Sequence, residues 1–213
     1  MPKPPYLIGI AGPSCSGKSE IARRLVAALP ASSLSLDSYY RELSHLSLED
    51  RTKVNFDSPE SMDESLILAH LGQLASGKSI DKPRYDFAQF TPSDVLDHVP
   101  AAEYVVVEGL FALYWPEVRS LLHATVYISA SHEICLERRL ERDVRERGRT
   151  PDYVIGQYRD TVRPMCDRYI VPTEKYADLV LPGTNYLDQS VHFIIALIQS
   201  KLVNRPAEMA SYA

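Results

Sequence analysis

The stretch from residue 6 to residue 30 constrains the fold more than any other part of the chain. It opens with the apolar run YLIGIA (6–11), continues through GPSCSGKS (12–19), and carries Ile21, Leu25, Ala28 and Leu29 at helical spacing until Pro30. The apolar run reads as a buried parallel strand, and the downstream pattern as a helix starting at Lys18. Between them, the match to Gly-x-x-x-x-Gly-Lys-Ser/Thr has the flanks a phosphate cradle needs, a strand before it and a helix after it. Gly12 and Gly17 let the backbone curl so that successive N–H groups face phosphate oxygens, and the helix N-terminus adds the positive end of its dipole. Gly12, Pro13, Ser14, Cys15, Ser16 and Gly17, with Glu20 in the first helical turn, are therefore candidates for a nucleotide site. Lys18 is placed to meet β and γ phosphates, and Ser19 to hold a magnesium ion. A second GKS at 77–79 lacks the first glycine and follows a helical run (Leu66, His70, Leu71, Leu74), so Gly77 reads as a helix cap.

Further strands are expected at 32–37, 104–109, 124–129 and 177–182, with helical patterns between most of them, including 131–146 and 186–202. Buried strands alternating with helices imply an α/β fold, a parallel sheet flanked by helices on both faces. Residues 1–203 are expected to form one domain, with a turn-rich insertion at 39–100 of the kind that becomes a lid or substrate-binding element, and a loose tail at 204–213. A net charge of -5 and a pI near 5.7 exclude a general nucleic-acid or membrane-surface binder. No signal peptide or membrane span is visible, so a cytoplasmic location is expected. Cys15, Cys135 and Cys166 are too widely spaced for a metal-type pair and read as reduced thiols, with Cys15 open to thiol reagents.

In open parallel sheets, ligands bind beyond the carboxyl ends of the strands. Asp37 and Glu108 each follow an apolar strand there. Phosphoryl transfer needs magnesium held between phosphates and a carboxylate that orients the acceptor hydroxyl and takes its proton. Asp37 is read as base and metal-shell residue, and Glu108 as support for the metal. The segment ERRLERDVRERGR (137–149) then places Arg138, Arg142, Arg145 and Arg149 on one helical stripe, ended by Gly148. Glu141 with Arg145 and Asp143 with Arg147 are spaced for surface ion pairs. An acidic chain that concentrates arginine here points to a lid, over about 137–160, that neutralises transferring phosphate.

Taken in order, GPSCSGKS, DSYYR, NFDSPESMD, PRYDF, VVVEGLFAL, RRLERDVRERGR, QYRDTVRPM and VPTEKYADLVLP resemble the uridine-cytidine kinases, within the phosphoribulokinase/uridine kinase group of P-loop kinases. The likeness runs from Ile8 to Tyr186. It implies a P-loop NTPase-type sheet with a nucleoside-binding insertion, and transfer of phosphate from ATP to the 5'-hydroxyl of uridine or cytidine in pyrimidine salvage. By that resemblance Asp37 is the base, Lys18, Arg142 and Arg147 act on the transferring phosphate, and Arg139 lies near ATP. Tyr40, Phe56, Asp57, Tyr85, Phe87, Arg149 and Gln157 match nucleoside-site residues, Asp57 as the reader of ribose hydroxyls. The metal set is Ser19, Asp37 and Glu108. The resemblance also implies nucleoside and nucleotide as the binding partners and a homotetramer. Two positions depart from the pattern. Phe90 stands where many members carry a histidine on the pyrimidine edge, and a phenyl ring makes no such hydrogen bond, which leaves base choice open. The loop after the last strand is shortened to PGTN (182–185), which leaves GTP open beside ATP as donor. Two other readings stay open: a kinase of the same group acting on a sugar phosphate, glycerate or pantothenate, and a non-catalytic nucleotide-binding regulator. A sensor needs the cradle but no base, and Asp37 speaks against it.

Overall fold

The structure, a computed structural model, describes residues 4–203. The chain runs through β1 (Tyr6–Ala11), α1 (Lys18–Ala28), β2 (Ala31–Ser35), α2 (Leu48–Arg51), α3 (Glu64–Ala75), β3 (Ile80–Asp86), β4 (Thr91–Val99), β5 (Tyr104–Glu108) and α4 (Pro116–Leu121). It continues through β6 (Ala124–Ser129), α5 (His132–Arg147), α6 (Pro151–Gln157), α7 (Arg163–Met165), β7 (Leu179–Pro182) and α8 (Leu187–Val203). Five strands form one parallel sheet in the order β2-β5-β1-β6-β7.

The central strand explains why the sequence reads as an unbroken apolar run. Tyr6, Ile8 and Ile10 pack with Ile21 and Leu25 of α1 and with Ile194 and Ile198 of α8. Leu7 and Ala11 belong to the opposite core, with Ile67, Leu71 and Leu74 of α3, Val118 of α4 and Ile170. A strand covered on both faces has no solvent side to alternate towards. Each fully buried leucine or isoleucine contributes about 1.5–3 kcal/mol relative to exposure.

The insertion is of two kinds. Helix α3, started by Asp63 accepting from the Leu66 amide and followed by Gly77 at φ 76, is part of the core layer. Strands β3 and β4 form a separate antiparallel hairpin whose Val95 and Leu96 are exposed. Two expected strand bounds are corrected. The strand expected at 32–37 ends at Ser35, and Leu36–Tyr39 tightens into a 3₁₀ turn, so Asp37 projects from a turn beyond the sheet rather than from its last residue. The strand expected from 177 begins at Leu179, because Asp178 turns its carboxylate to the Thr125 amide at 2.8 Å and to Lys201 at 2.6 Å. Helix α5 starts at its Ser131 cap and stops at Gly148, in the left-handed region at φ 62. The expected tail, 204–213, lies outside the described residues. Among the described residues no helix is long and apolar enough to cross a membrane.

Candidate active site

At the carboxyl end of β1 the chain turns through three residues of positive φ: Gly12 at 150°, Cys15 at 65° and Gly17 at 105°. A side chain on Gly12 would run into the Ile128 carbonyl of β6, so glycine is required for this close approach. Gly17 caps α1 without a side-chain acceptor, leaving the first amide N–H groups of the helix to an outside anion. Among the described residues the Ser16 hydroxyl is buried with no hydrogen-bond partner, and the buried Lys18 donates to the Pro13 carbonyl at 3.5 Å. A buried ammonium group with a single long hydrogen bond is suited to a ligand that brings negative charge.

Beside the loop, Ser19 Oγ donates to Glu108 Oε2 at 3.0 Å. Glu108 ends β5 and is buried. Burial pushes its carboxyl above the ordinary value, and the negative charge of Asp37 adds to the rise. Two mutually repelling carboxylates beside a hydroxyl form an oxygen donor set that fits a divalent cation. Glu20, on the outer side of α1, is held low, at about 2, by hydrogen bonds from Arg23 and then Arg24. It lines the same cleft.

The cleft has a volume of about 540 Å³ and extends from the phosphate loop past Asp37 to the insertion. Its far end is aromatic. Tyr40 meets Phe56 edge-on at 5.5 Å and Tyr85 at 5.1 Å, Phe56 stacks on Phe90 at 5.6 Å, and Tyr85 meets Phe87 at 5.1 Å. Phe90 holds a φ of 52°, rare for an aromatic residue, and this turn brings its ring back over Phe56. The Tyr85 hydroxyl is buried without a partner. Asp57 lines the cleft between this box and the loop. Burial raises its carboxyl, Arg139 opposes the rise and Asp37 adds to it, and the net direction is upward.

The arginine stripe read from helical spacing is corrected. Arg145 points outward, to Glu141 at 3.0 Å and Glu146 at 2.7 Å. Arg138 donates to the Cys15, Ser16 and Gly183 carbonyls, tying α5 to the phosphate loop. Only Arg145 leaves the stripe; besides Arg138, the cleft is lined by Arg139, Arg142, Arg147 and Arg149, gathered from the helix and the turn after it. Asp143, expected in a surface pair with Arg147, is fully buried and faces all four. Helical spacing relates Arg139 and Arg147 to Asp143, but Arg149 reaches it only because Gly148 reverses the chain. Gln157, from α6, accepts from Arg139 at 2.9 Å and Arg149 at 3.3 Å. Of the residues anticipated for the site, all but Gly12, Pro13, Ser16 and Glu108 line this one cleft; the first three lie in the phosphate loop, and Glu108 meets the cleft through Ser19. Arg138 and Asp143 were not anticipated in these positions, nor were Leu110, Thr184, Asn185 and Leu187, which complete the lining.

The shortened loop after β7 has its own constraint. The Gly183 amide donates to the Ser129 carbonyl at 2.7 Å, and a Cβ on Gly183 would collide with the Ser16 carbonyl of the phosphate loop. Gly183→Ala must therefore move backbone against backbone. An overpacking penalty of about 1–3 kcal/mol is expected, read as a drop in Tm of roughly 2–10 °C in thermal unfolding. An unchanged Tm would mean that the two loops separate freely.

A parallel sheet of this order, with a phosphate loop after its central strand and a guanidinium cluster facing it, defines a P-loop phosphotransferase. The chain belongs to the phosphoribulokinase/uridine kinase family, whose model matches residues 7–190. It is 38% identical over 203 residues to a uridine kinase of Clostridium perfringens, covering 94% of this chain and 98% of that protein. It is 39% identical to a uridine kinase of Lactobacillus helveticus, over 93% of this chain and 96% of that one. In fold it resembles a putative fructose transport system kinase from Silicibacter (TM-score 0.68, 19% identity, 85% of this chain and 91% of that one). The phosphoribulokinase of Rhodobacter spheroides is similar as well (TM-score 0.65, 14% identity, 86% and 74%). The chain is thus a P-loop kinase of this family, a membership that implies ATP use and binding of small nucleotides and nucleosides.

Proposed function

We propose that the protein transfers the γ-phosphate of ATP to the 5'-hydroxyl of uridine or cytidine. The observation that carries this reading is the set of groups that line one cleft: a phosphate loop with Lys18, a guanidinium cluster, the carboxylates of Asp37 and Asp57, and an aromatic box. A nucleoside laid along it puts its 5'-hydroxyl at Asp37, its ribose at Asp57 and its base among Tyr40, Phe56, Tyr85, Phe87 and Phe90. A sugar phosphate or glycerate would leave that aromatic surface unused.

In this reading the loop amides and Lys18 hold the β and γ phosphates, and Arg139, Arg142 and Arg147 face the charge that spreads over the transferring group. Asp37 takes the proton of the 5'-hydroxyl as that oxygen attacks. Arg149 and Gln157 border the nucleoside end. Ser19, Glu108 and Asp37 would hold magnesium, which when bound supplies charge neutralisation at the phosphates. The raised Glu108 and its bond to Ser19 support that assignment. The family likeness extends the reading to a cytoplasmic homotetramer serving pyrimidine salvage.

The test is ADP release with Mg-ATP against uridine, cytidine, ribulose 5-phosphate, glycerate, pantothenate and no acceptor. Turnover that depends on uridine or cytidine supports the proposal, and the ratio of the two reports what Phe90 does to base choice. Turnover with a non-nucleoside alone overturns the acceptor; ATP binding with no turnover overturns catalysis.

A further inference from the structure

Four guanidinium groups in one corner of a protein repel one another, and they need a reason to stay together before any phosphate arrives. Asp143 supplies it. Its Oδ1 accepts from Arg142 Nε at 2.9 Å and lies 2.8 Å from Arg142 Nη2 and 3.6 Å from Arg147 Nη1. Its Oδ2 accepts from Arg149 Nη1 at 2.9 Å and lies 3.7 Å from Arg139 Nε, a buried atom with no hydrogen-bond partner. Both oxygens are therefore shared among the four arginines. Burial works to raise the Asp143 carboxyl, and Arg142, Arg139 and Arg147 outweigh it, so the group stays ionised. On Arg147, burial acts first and the positive charge of Arg142 adds to it, and both lower the group.

The position of the carboxylate decides what it does. All four arginines line the cleft, whereas Asp143 does not and is 0% exposed. It stands behind the guanidinium groups, on the protein side. Entering phosphate meets the arginines from the front and has no path to displace Asp143, so the carboxylate is not a stand-in that the substrate must evict. We infer that Asp143 is a positioning residue for phosphoryl transfer, a permanent buried counter-ion that holds Arg139, Arg142, Arg147 and Arg149 in register at the cleft wall. The inference rests on the phosphate-facing role proposed above for Arg139, Arg142 and Arg147, with Arg149 held beside them at the nucleoside end. Four positive charges against one negative leave a surplus directed at the cleft, the sign that a polyphosphate tail needs.

The expected consequence is a split between kcat and KM. In Asp143→Asn the volume and most of the hydrogen-bonding capacity remain, but the counter-ion is gone and the guanidinium groups part. Ground-state attraction for ATP persists, because the corner is now more positive. Alignment at the transferring phosphate is lost. With Mg-ATP and uridine, kcat should fall about 10- to 100-fold, while KM for ATP stays within about threefold. Arg145→Gln, on the outer side of the same helix, should behave as wild type in both constants. A kcat for Asp143→Asn within twofold of wild type overturns the inference, and so does an unchanged kcat with a large rise in KM for ATP.

A second measurement needs no Asp143 variant to fold and no substrate to be known. The Arg142 Nε–H proton, assigned by its loss in Arg142→Lys, should exchange slowly with water in the nucleotide-free wild type, and adding tripolyphosphate should slow it little further. Fast exchange that becomes slow only with tripolyphosphate would show that phosphate gathers the arginines, and Asp143 would then have no positioning role. Wild-type protein that fails to turn over uridine counts against the acceptor proposed above, and the exchange rate still decides the role of Asp143.

Discussion

Asp37→Asn is expected to lower kcat by about 10²- to 10⁴-fold, the usual range for a positioned general base, while leaving ATP binding nearly intact. Asparagine keeps the size and hydrogen-bonding reach of aspartate but cannot take a proton. The residue sits on the 3₁₀ turn just past β2 and lines the cleft. Burial raises the carboxyls of Glu108 and Asp57, and the charge of Asp37 adds to the rise of each. Removing that charge should therefore also let Glu108 and Asp57 ionise at lower pH, a shift visible in the acid limb of nucleotide and nucleoside binding. Single-turnover transfer to uridine and equilibrium ATP binding, measured side by side, separate the two effects. Near-wild-type turnover would remove Asp37 as the base. Loss of ATP binding in step with turnover would make it a structural or metal-holding group only.

The phosphate loop was legible because its requirements are local: two glycines, a lysine and a serine, between a strand and a helix that the same 25 residues encode. The central strands were legible for a similar reason, since burial on both faces leaves an apolar run. The arginine lid was not. Helical spacing ranks Arg138, Arg142, Arg145 and Arg149 as one stripe, but which side chains turn inward depends on Gly148 reversing the chain and on α6 presenting Gln157. Asp143 looked like an ordinary surface partner of Arg147 because its burial comes from the elements packed above it, which i,i+4 counting does not contain. The aromatic box likewise joins residues 40, 56, 85, 87 and 90 across three separate segments. Only the family likeness pointed to it in advance, and the positive φ that folds Phe90 onto Phe56 has no signal in the sequence.

Asp57→Asn should act on nucleoside affinity far more than on the chemical step. A carboxylate that accepts from two neighbouring ribose hydroxyls makes charge-assisted hydrogen bonds of about 1.5–3 kcal/mol each. Losing the charge while keeping one acceptor should raise KM for uridine roughly 10- to 100-fold, with kcat much less affected. The sharper readout is discrimination. Wild type should prefer uridine strongly over 2'-deoxyuridine, and the variant should lose most of that preference, because the removed hydroxyl and the removed charge are two ends of one interaction. An unchanged preference would take Asp57 out of the ribose site even if KM rose. A pH series then tests the environment. Burial raises the Asp57 carboxyl, with Asp37 adding to the rise against the pull of Arg139. A raised group is protonated sooner as pH falls, and the protonated acid has lost acceptor capacity on one oxygen. KM for uridine in the wild type should therefore climb on acidification from a higher pH than an ordinary aspartate would give. In Asp57→Asn that limb should be flat, and a limb that survives the substitution would belong to another group, such as the raised Glu108.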